Sequence, residues 1–248
     1  MSGFTALVLA GSRGGIDPVA DYAGVSHKGL IELGGETLLA RVLGALKAAG
    51  VTRIGVSTND EALAGELPPG VERIASAESP SLSVRQGAEA LGTPILITTV
   101  DHALLQPEWV RQFIDDTPAD VDIAVLMAPE GVVREAAPGT QRTYLSFRDR
   151  RYSSCNLFLL MTPRALAAVD LWRRVEAHRK QPLRVALLLG PQMLLGYALG
   201  LLTLDAAIAL IGRRAGVRAA AVRTPYGLAA VDVDKPSDLD LVRRLVEG

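Results

Sequence analysis

The chain has 248 residues, with 26 lysines and arginines against 27 aspartates and glutamates, for a net charge of −1. So even a balance projects no field that would gather DNA or RNA, which excludes a nucleic-acid binder. Cys155 is the only cysteine, so no internal disulfide forms. Gly11 and Arg13 cut the first apolar run too short for a signal peptide, and the cytoplasm is the expected compartment.

Residues 4–10 form an apolar run that stops at Gly11, and residues 36–49 carry leucine, valine and alanine at helical spacing up to Gly50. This predicts strand, glycine-rich loop, helix. "RIGVST" follows as a strand, "DEALAGEL" as a short helix, "VERIAS" as a strand and "SLSVRQGAEAL" as a helix opened by serines. "PILITTVDH" has the unbroken apolar character of a strand buried on both faces of a parallel sheet. "PEWVRQFIDD" is a helix with proline near its start, and "DIAVLMAP" a strand. The segment from Pro129 to Tyr152 is polar and rich in arginine, and reads as a loop or hairpin before the strand "SSCNLFLL". Helices fill the chain from Pro163 to about residue 215, then comes the strand "VRAAAVRT". In the tail, "GLAAVDVDKPSDLDLV", an apolar strand is expected to run into Asp232 and Asp234 before Pro236 and Ser237 open a last helix. The alternation predicts an α/β fold, a Rossmann-like three-layer α/β/α sandwich on a mostly parallel sheet. No linker divides it, so residues 1–248 are expected to be one domain.

One stretch competes with that picture. Residues 185–204, "VALLLGPQMLLGYALGLLTL", carry no charge over a length that would span a membrane. Gly190-Pro191 interrupts it, and proline removes an amide donor and restricts the residue before it. Two shorter buried helices broken near Gly190 are expected, ahead of contact with a membrane; these apolar helices also offer a surface for a homodimer.

The chemistry concentrates at strand ends. Gly11, Gly14 and Gly15 let the backbone approach a ligand without a Cβ, and loop amides so arranged bind phosphate. Arg13 and Lys28 add the positive charge that a triphosphate requires. Asp101 ends an apolar strand, at the carboxyl edge where open α/β sheets bind ligands, and is placed to hold Mg²⁺. Asp232 and Asp234 repeat the pattern in the tail. Oxygen donors without a histidine pair or cysteine cluster suit magnesium rather than zinc.

The stretches "LVLAGSRGGIDPVADYAGVSHKGLIELGGETLLARVLGAL", "SVRQGAEAL", "ITTVDHALLQPEWV" and "AAVDVDKPSDLDLV" together resemble the signature regions of the MobA-like NTP transferases. The resemblance is close over about residues 5–115 and again over 225–246. It implies a GT-A-like fold with a helical insertion at 164–215, a nucleotide-binding half over about 1–115 and an acceptor-binding half over about 116–248. It implies a Mg²⁺-dependent nucleotidyltransferase that moves a nucleotidyl group from an NTP, with CTP or GTP expected, to a phosphorylated small molecule. Leu9, Ala10, Gly11, Ser12, Gly14 and Gly15 would then bind the triphosphate, with Ser83 and Gly87 near the base or ribose. Lys28 would stabilise charge on the α-phosphate beside Arg13, and Asp101 with Asp232 or Asp234 would hold the metal. Arg148, Arg151 and Asn156 fall on the acceptor side. Ser12 replaces the second glycine of the family pattern, Arg13 comes early, and Lys235 and Ser237 vary the usual D-x-D-T-P-E-D ending. A glycosyltransferase using a nucleotide-sugar is the alternative on the same fold, and a nucleotide-binding module at a membrane surface is the non-enzymatic one.

Overall fold

The computed structural model describes residues 3–12, 15, 17–178 and 180–248. Strand β1 (Thr5–Leu9) leads through a loop to helix α1 (Pro18–Tyr22) and a 3-10 turn at Lys28–Leu30. The ribbon β2 (Glu32–Leu33) and β3 (Glu36–Thr37) precedes α2 (Leu38–Ala48). Then come β4 (Arg53–Ser57), α3 (Glu61–Gly65), β5 (Val71–Ile74), α4 (Pro80–Leu91), β6 (Ile95–Thr99) and α5 (Pro107–Asp116). The second half holds β7 (Ile123–Pro129), α6 (Glu130–Ala136), β8 (Leu145–Ser146) and β9 (Arg151–Leu160). Helices α7 (Leu166–Ala177), α8 (Pro182–Leu189), α9 (Pro191–Ala198) and α10 (Leu204–Ala215) follow, then β10 (Ala219–Arg223) and α11 (Pro236–Glu247).

Local chemistry sets these boundaries. Thr37, Asp60 and Ser79 each cap a helix by accepting from a backbone N–H three residues on. Helix α2 gives way to Gly50 at φ +93° and α10 ends on Gly216 at φ +74°, where a Cβ would be strained.

The sheet runs β10-β7-β9-β6-β1-β4-β5, with β8 paired to β9. All neighbours are parallel except β9, which runs antiparallel to β6, β7 and β8. The chain leaves β1 towards β4 and β5, then crosses back to place β6 on the other side of β1. The carboxyl ends of β1 and β6 therefore flank the switch point, the crevice where such sheets bind ligands. One face of the sheet buries Ala6, Val8, Leu96, Leu126 and Leu159 against α2, α5 and α11. The other buries Leu7, Ile95, Ile97 and Leu160 against α4 and α7.

Three expectations are corrected. The segment after Pro129 contains α6 rather than only loop and hairpin. No strand leads into Asp232: residues 227–230 make a 3-10 turn, and the chain beyond it is held by Val233 N–H donating to the Asp101 carbonyl (3.0 Å) instead of by a sheet partner. The apolar stretch breaks at Gly190 as expected, but its two helices are not buried, and Leu187, Leu195, Leu199 and Leu201 are each more than half exposed. Among the described residues no helix is long and apolar enough to cross a membrane.

Two glycines give opposite tests of this packing. At Gly227 an added Cβ would lie 2.1 Å from the Val132 carbonyl oxygen, a backbone atom that cannot swing away. Gly44 sits in α2 with open space around it. Gly227→Ala is expected to cost about 1–3 kcal/mol, the range for overpacking. Gly44→Ala is expected to add up to about 1 kcal/mol of helix propensity. Urea unfolding of both variants checks the two signs.

Candidate active site

The carboxyl end of β1 is fixed first. Ala10 N–H donates to the Ser57 carbonyl (2.9 Å), and the Ala10 carbonyl accepts from His27 Nε2 (3.0 Å). His27 Nδ1 accepts from Gly29 N–H (2.9 Å), so the proton must sit on Nε2 and the ring is neutral. Burial holds its pKa below the usual histidine value. A neutral His27 thus staples the 3-10 turn to the strand end, and that turn carries Lys28.

Lys28 Nζ donates to Asp101 Oδ2 and lies 3.9 Å from Asp234 Oδ1. Burial opposes the lysine charge, but Asp101 outweighs it by charge and hydrogen bond, and the Lys28 pKa lies above the usual lysine value. Burial likewise opposes ionisation of Asp101, and the Lys28 ammonium overcomes it, holding the carboxyl below the usual range. Asp101 Oδ1 is buried with no hydrogen-bond partner among the described residues. Asp234 moves the other way, though its side chain is exposed at the rim: partial desolvation, then repulsion from Asp101, raises its pKa despite Lys28. Two carboxylates share one cation here.

Asp232 is committed elsewhere. Arg142 donates to its Oδ1 and to its main-chain carbonyl (2.8 Å), and Asn156 donates to its Oδ2. The same guanidinium reaches Asp238 Oδ1 at 2.9 Å. Asp238 Oδ2 in turn accepts from the Asp234 and Lys235 N–H groups at 3.2 and 3.0 Å, closing a capping box at the start of α11. Arg142 and Asp238 therefore set the turn that presents Asp234. Asn156 reaches this network from an irregularity in β9, opposite the register shift between Val125 and Met127, with φ +50°. A non-glycine residue held there marks a place where the fold aims a side chain.

The other predicted residues distribute as follows. Leu9 and Ala10 end β1, Gly11 passes beside Ser76, Ser12 is exposed and Gly15 takes φ +109°; Arg13 and Gly14 lie outside the described residues. Ser83 Oγ accepts from Ala77 N–H (2.9 Å), folding the 75–79 loop against the site edge. Gly87 has a packing role: its missing Cβ would lie 2.3 Å from Leu7 Cδ2, inside the core. Arg151 pairs with Glu130 (2.8 Å) and stacks over Tyr144, while Arg148 stands at the exposed hairpin turn. Of the three acceptor candidates, Asn156 alone joins the carboxylate network. His102 is buried and its pKa is pushed down to about 4, so it stays neutral. Burial pushes the Cys155 thiol far up, leaving it unreactive. Arg142 and Asp238 were not singled out in the sequence. The D-x-D-x-x-x-D spacing was visible for Asp238, whereas Arg142 lay in a loop with other arginines.

A lysine set between carboxylates at the switch point of an α/β sheet suits phosphoryl chemistry, and the likenesses to known proteins agree: the protein is a nucleotidyltransferase. The chain belongs to the family of the MobA-like NTP transferase domain, whose model matches residues 6–193. Among solved structures it is similar to a hypothetical transferase from Thermus thermophilus, at 32% identity over 96% of this chain and 99% of that one, with a TM-score of 0.82. It shares its fold with CMP:2-keto-3-deoxy-manno-octonic acid synthetase, at 16% identity over 99% of both chains and a TM-score of 0.60. The same holds for 2-C-methyl-D-erythritol 4-phosphate cytidylyltransferase, also from Thermus thermophilus, at 18% identity over the whole of both chains and a TM-score of 0.54. No curated protein matches.

Arg142 gives the site its sharpest structural test. Arg142→Leu removes the cation shared by Asp232 and Asp238, leaving buried charge uncompensated, and is expected to cost about 3–5 kcal/mol. Arg142→Lys keeps the charge but not the fork and should fall between the two. Urea unfolding of the three proteins side by side measures the ranking.

Proposed function

We propose that the protein transfers a nucleotidyl group from an NTP to the phosphate of a small acceptor, releasing pyrophosphate, with Mg²⁺ held by Asp101 and Asp234. The observation that carries this is a buried Asp101 Oδ1 with no hydrogen-bond partner among the described residues, next to an Asp234 whose ionisation Asp101 opposes. Among the described residues, four carboxylates, at 101, 232, 234 and 238, pair with two cations, Lys28 and Arg142. An oxygen-only, charge-deficient pair of carboxylates fits Mg²⁺, which commonly takes one or two protein carboxylates and fills its remaining positions with phosphates and water. Bound there, Mg²⁺ would neutralise charge on the triphosphate.

The chain's own residues supply the rest. The backbone amides of Gly11, Ser12 and Gly15 would serve the phosphates at the end of β1. Lys28 places its ammonium beside the oxygens of the α-phosphorus, where charge builds in the transition state. An acceptor phosphate oxygen attacks that phosphorus in line; the new P–O bond forms as the α–β bond breaks, and pyrophosphate leaves. The attacking oxygen is already ionised, so no base is required, in keeping with two neutral histidines. CTP is favoured as donor, since relatives of the same fold are named for cytidylyl chemistry and "SPSLSVRQG" is similar to their form.

Melting of the purified protein with CTP, GTP, ATP and UTP, with and without Mg²⁺, tests the reading, because a ligand selective for the folded state raises Tm by mass action. A Mg²⁺-dependent rise with one nucleotide is expected, and no rise with any of the four would overturn it. Lys28→Ala and Asp101→Asn are each expected to lower pyrophosphate release by about 10²–10³-fold, the scale of losing one group that stabilises developing charge.

Asp234→Asn separates stability from activity. The folded state raises the Asp234 pKa. The ionised form at pH 7 therefore costs stability, which returns as pH falls through that raised pKa. The amide should raise Tm in metal-free buffer at pH 7, narrow the difference from the parent at lower pH, and reduce turnover. An equal or lower Tm would contradict the like-charge account.

A further inference from the structure

The helical face of the sheet is incompletely filled. Val125 and Phe158 lie on central strands β7 and β9, yet both are only half-buried. Helix α8 packs on α7 and α9 on α10, so the pair bridges the neighbouring helices. Between these helices and the strands lies a cavity of about 540 Å³, walled by Val125, Phe158, Trp172, Met193, Tyr197 and Ile208 among others. Protein interiors hold few voids larger than a water molecule, and an apolar cavity does not order water. The volume falls in the range of small-molecule sites. A peptide helix with side chains is about 10–12 Å across, so roughly one turn would exhaust the space. An extended hydrocarbon chain fits better: at on the order of 30 Å³ for a group the size of water, the space takes a dozen or more carbons.

The cavity extends to the carboxyl end of β7. Met127 and Ser154, paired across β7 and β9 near the carboxyl end of β7, both line it. Ser154 is two residues from Asn156, which donates to Asp232. The β8–β9 hairpin covers this end, with Ser146 N–H donating to Tyr197 Oη (3.2 Å). Its turn carries Arg148 and Arg150, both exposed and making no ion pair among the described residues.

We infer that the acceptor is an amphiphile, its phosphate head at the Asn156 edge beneath Arg148 and Arg150 and its single alkyl or isoprenoid tail in this cavity. The head-group assignment rests on the nucleotidyl-transfer reading; the tail site does not. The test is binding of n-alkyl phosphates, from butyl to tetradecyl and below their micelle concentrations, followed by tryptophan fluorescence and Tm without nucleotide, with inorganic phosphate as control. Each added methylene is expected to tighten Kd about 3–4-fold, as burial of a CH₂ predicts, up to a plateau beyond about a dozen carbons. Ile208→Trp should shorten the chain at which the plateau falls and Ile208→Ala should lengthen it, each variant checked for its own melting transition. Equal Kd for butyl and dodecyl phosphate would overturn the inference, and if the Mg²⁺-dependent nucleotide shift persisted, this inference alone would fall. A dimer by light scattering that Ile208→Trp splits would assign the cavity to a second copy and also overturn it. Chain-length dependence without any nucleotide shift would overturn the acceptor role through the function proposed above.

Discussion

The rest of the site depends on the ion pair between Lys28 and Asp101. A buried ion pair is costly to form and costlier to leave half-made, so both partners need rigid support. The support is main-chain on each side. His27 ties the Lys28 turn to the end of β1, and Val233 N–H docks the C-terminal turn on the Asp101 carbonyl. Partners 73 positions apart are thereby fixed across the crevice between β1 and β6. The Arg142 guanidinium performs the parallel task for the outer half, joining the 137–144 loop to Asp232 and to the first turn of α11.

What could be read in the sequence was whatever a local signal reports. The glycine stop after β1, the serine opening of α4, the apolar run into Asp101 and the break at Gly190 all follow from backbone chemistry within a few residues, and the structure has each of them. What escaped was set by distant partners. Arg142 is one arginine in a polar loop until Asp232 and Asp238 come from the far end of the chain to meet it. Gly87 reads as a helical residue placed near a nucleotide by the family resemblance, and no local pattern reports that Leu7 of β1 packs against its bare Cα. Asp232 and Asp234, expected at the end of one strand, lie where no strand pairs with the segment. Each takes its direction from its own partner, Arg142 or Lys28.

The two sheet faces are packed to different ends. The face against α2, α5 and α11 is a continuous core, and it carries the turns that bear Lys28 and Asp234. Close packing suits that task, since a few tenths of an ångström matter where charges meet. The opposite face is filled under α4 but opens beneath α8 and α9, whose outward leucines are exposed. A glycine-proline break fixes the angle between these two helices without adding buried surface. An apolar lining kept free of close packing suits ligand binding rather than folding.

The unequal charge of the site bears on what enters it. With Asp101 and Asp234 repelling each other across Lys28, their one cation among the described residues, a bare triphosphate would bring further negative charge to the pair. A triphosphate carrying its divalent cation brings the missing positive charge with it and relieves the same repulsion. On the function proposed here, the carboxylates thus discriminate between the two forms before any chemistry begins, favouring the charge-neutralised donor by exclusion as well as by attraction. On that reading Lys28 would still be needed, since its ammonium would face the oxygens on which charge develops.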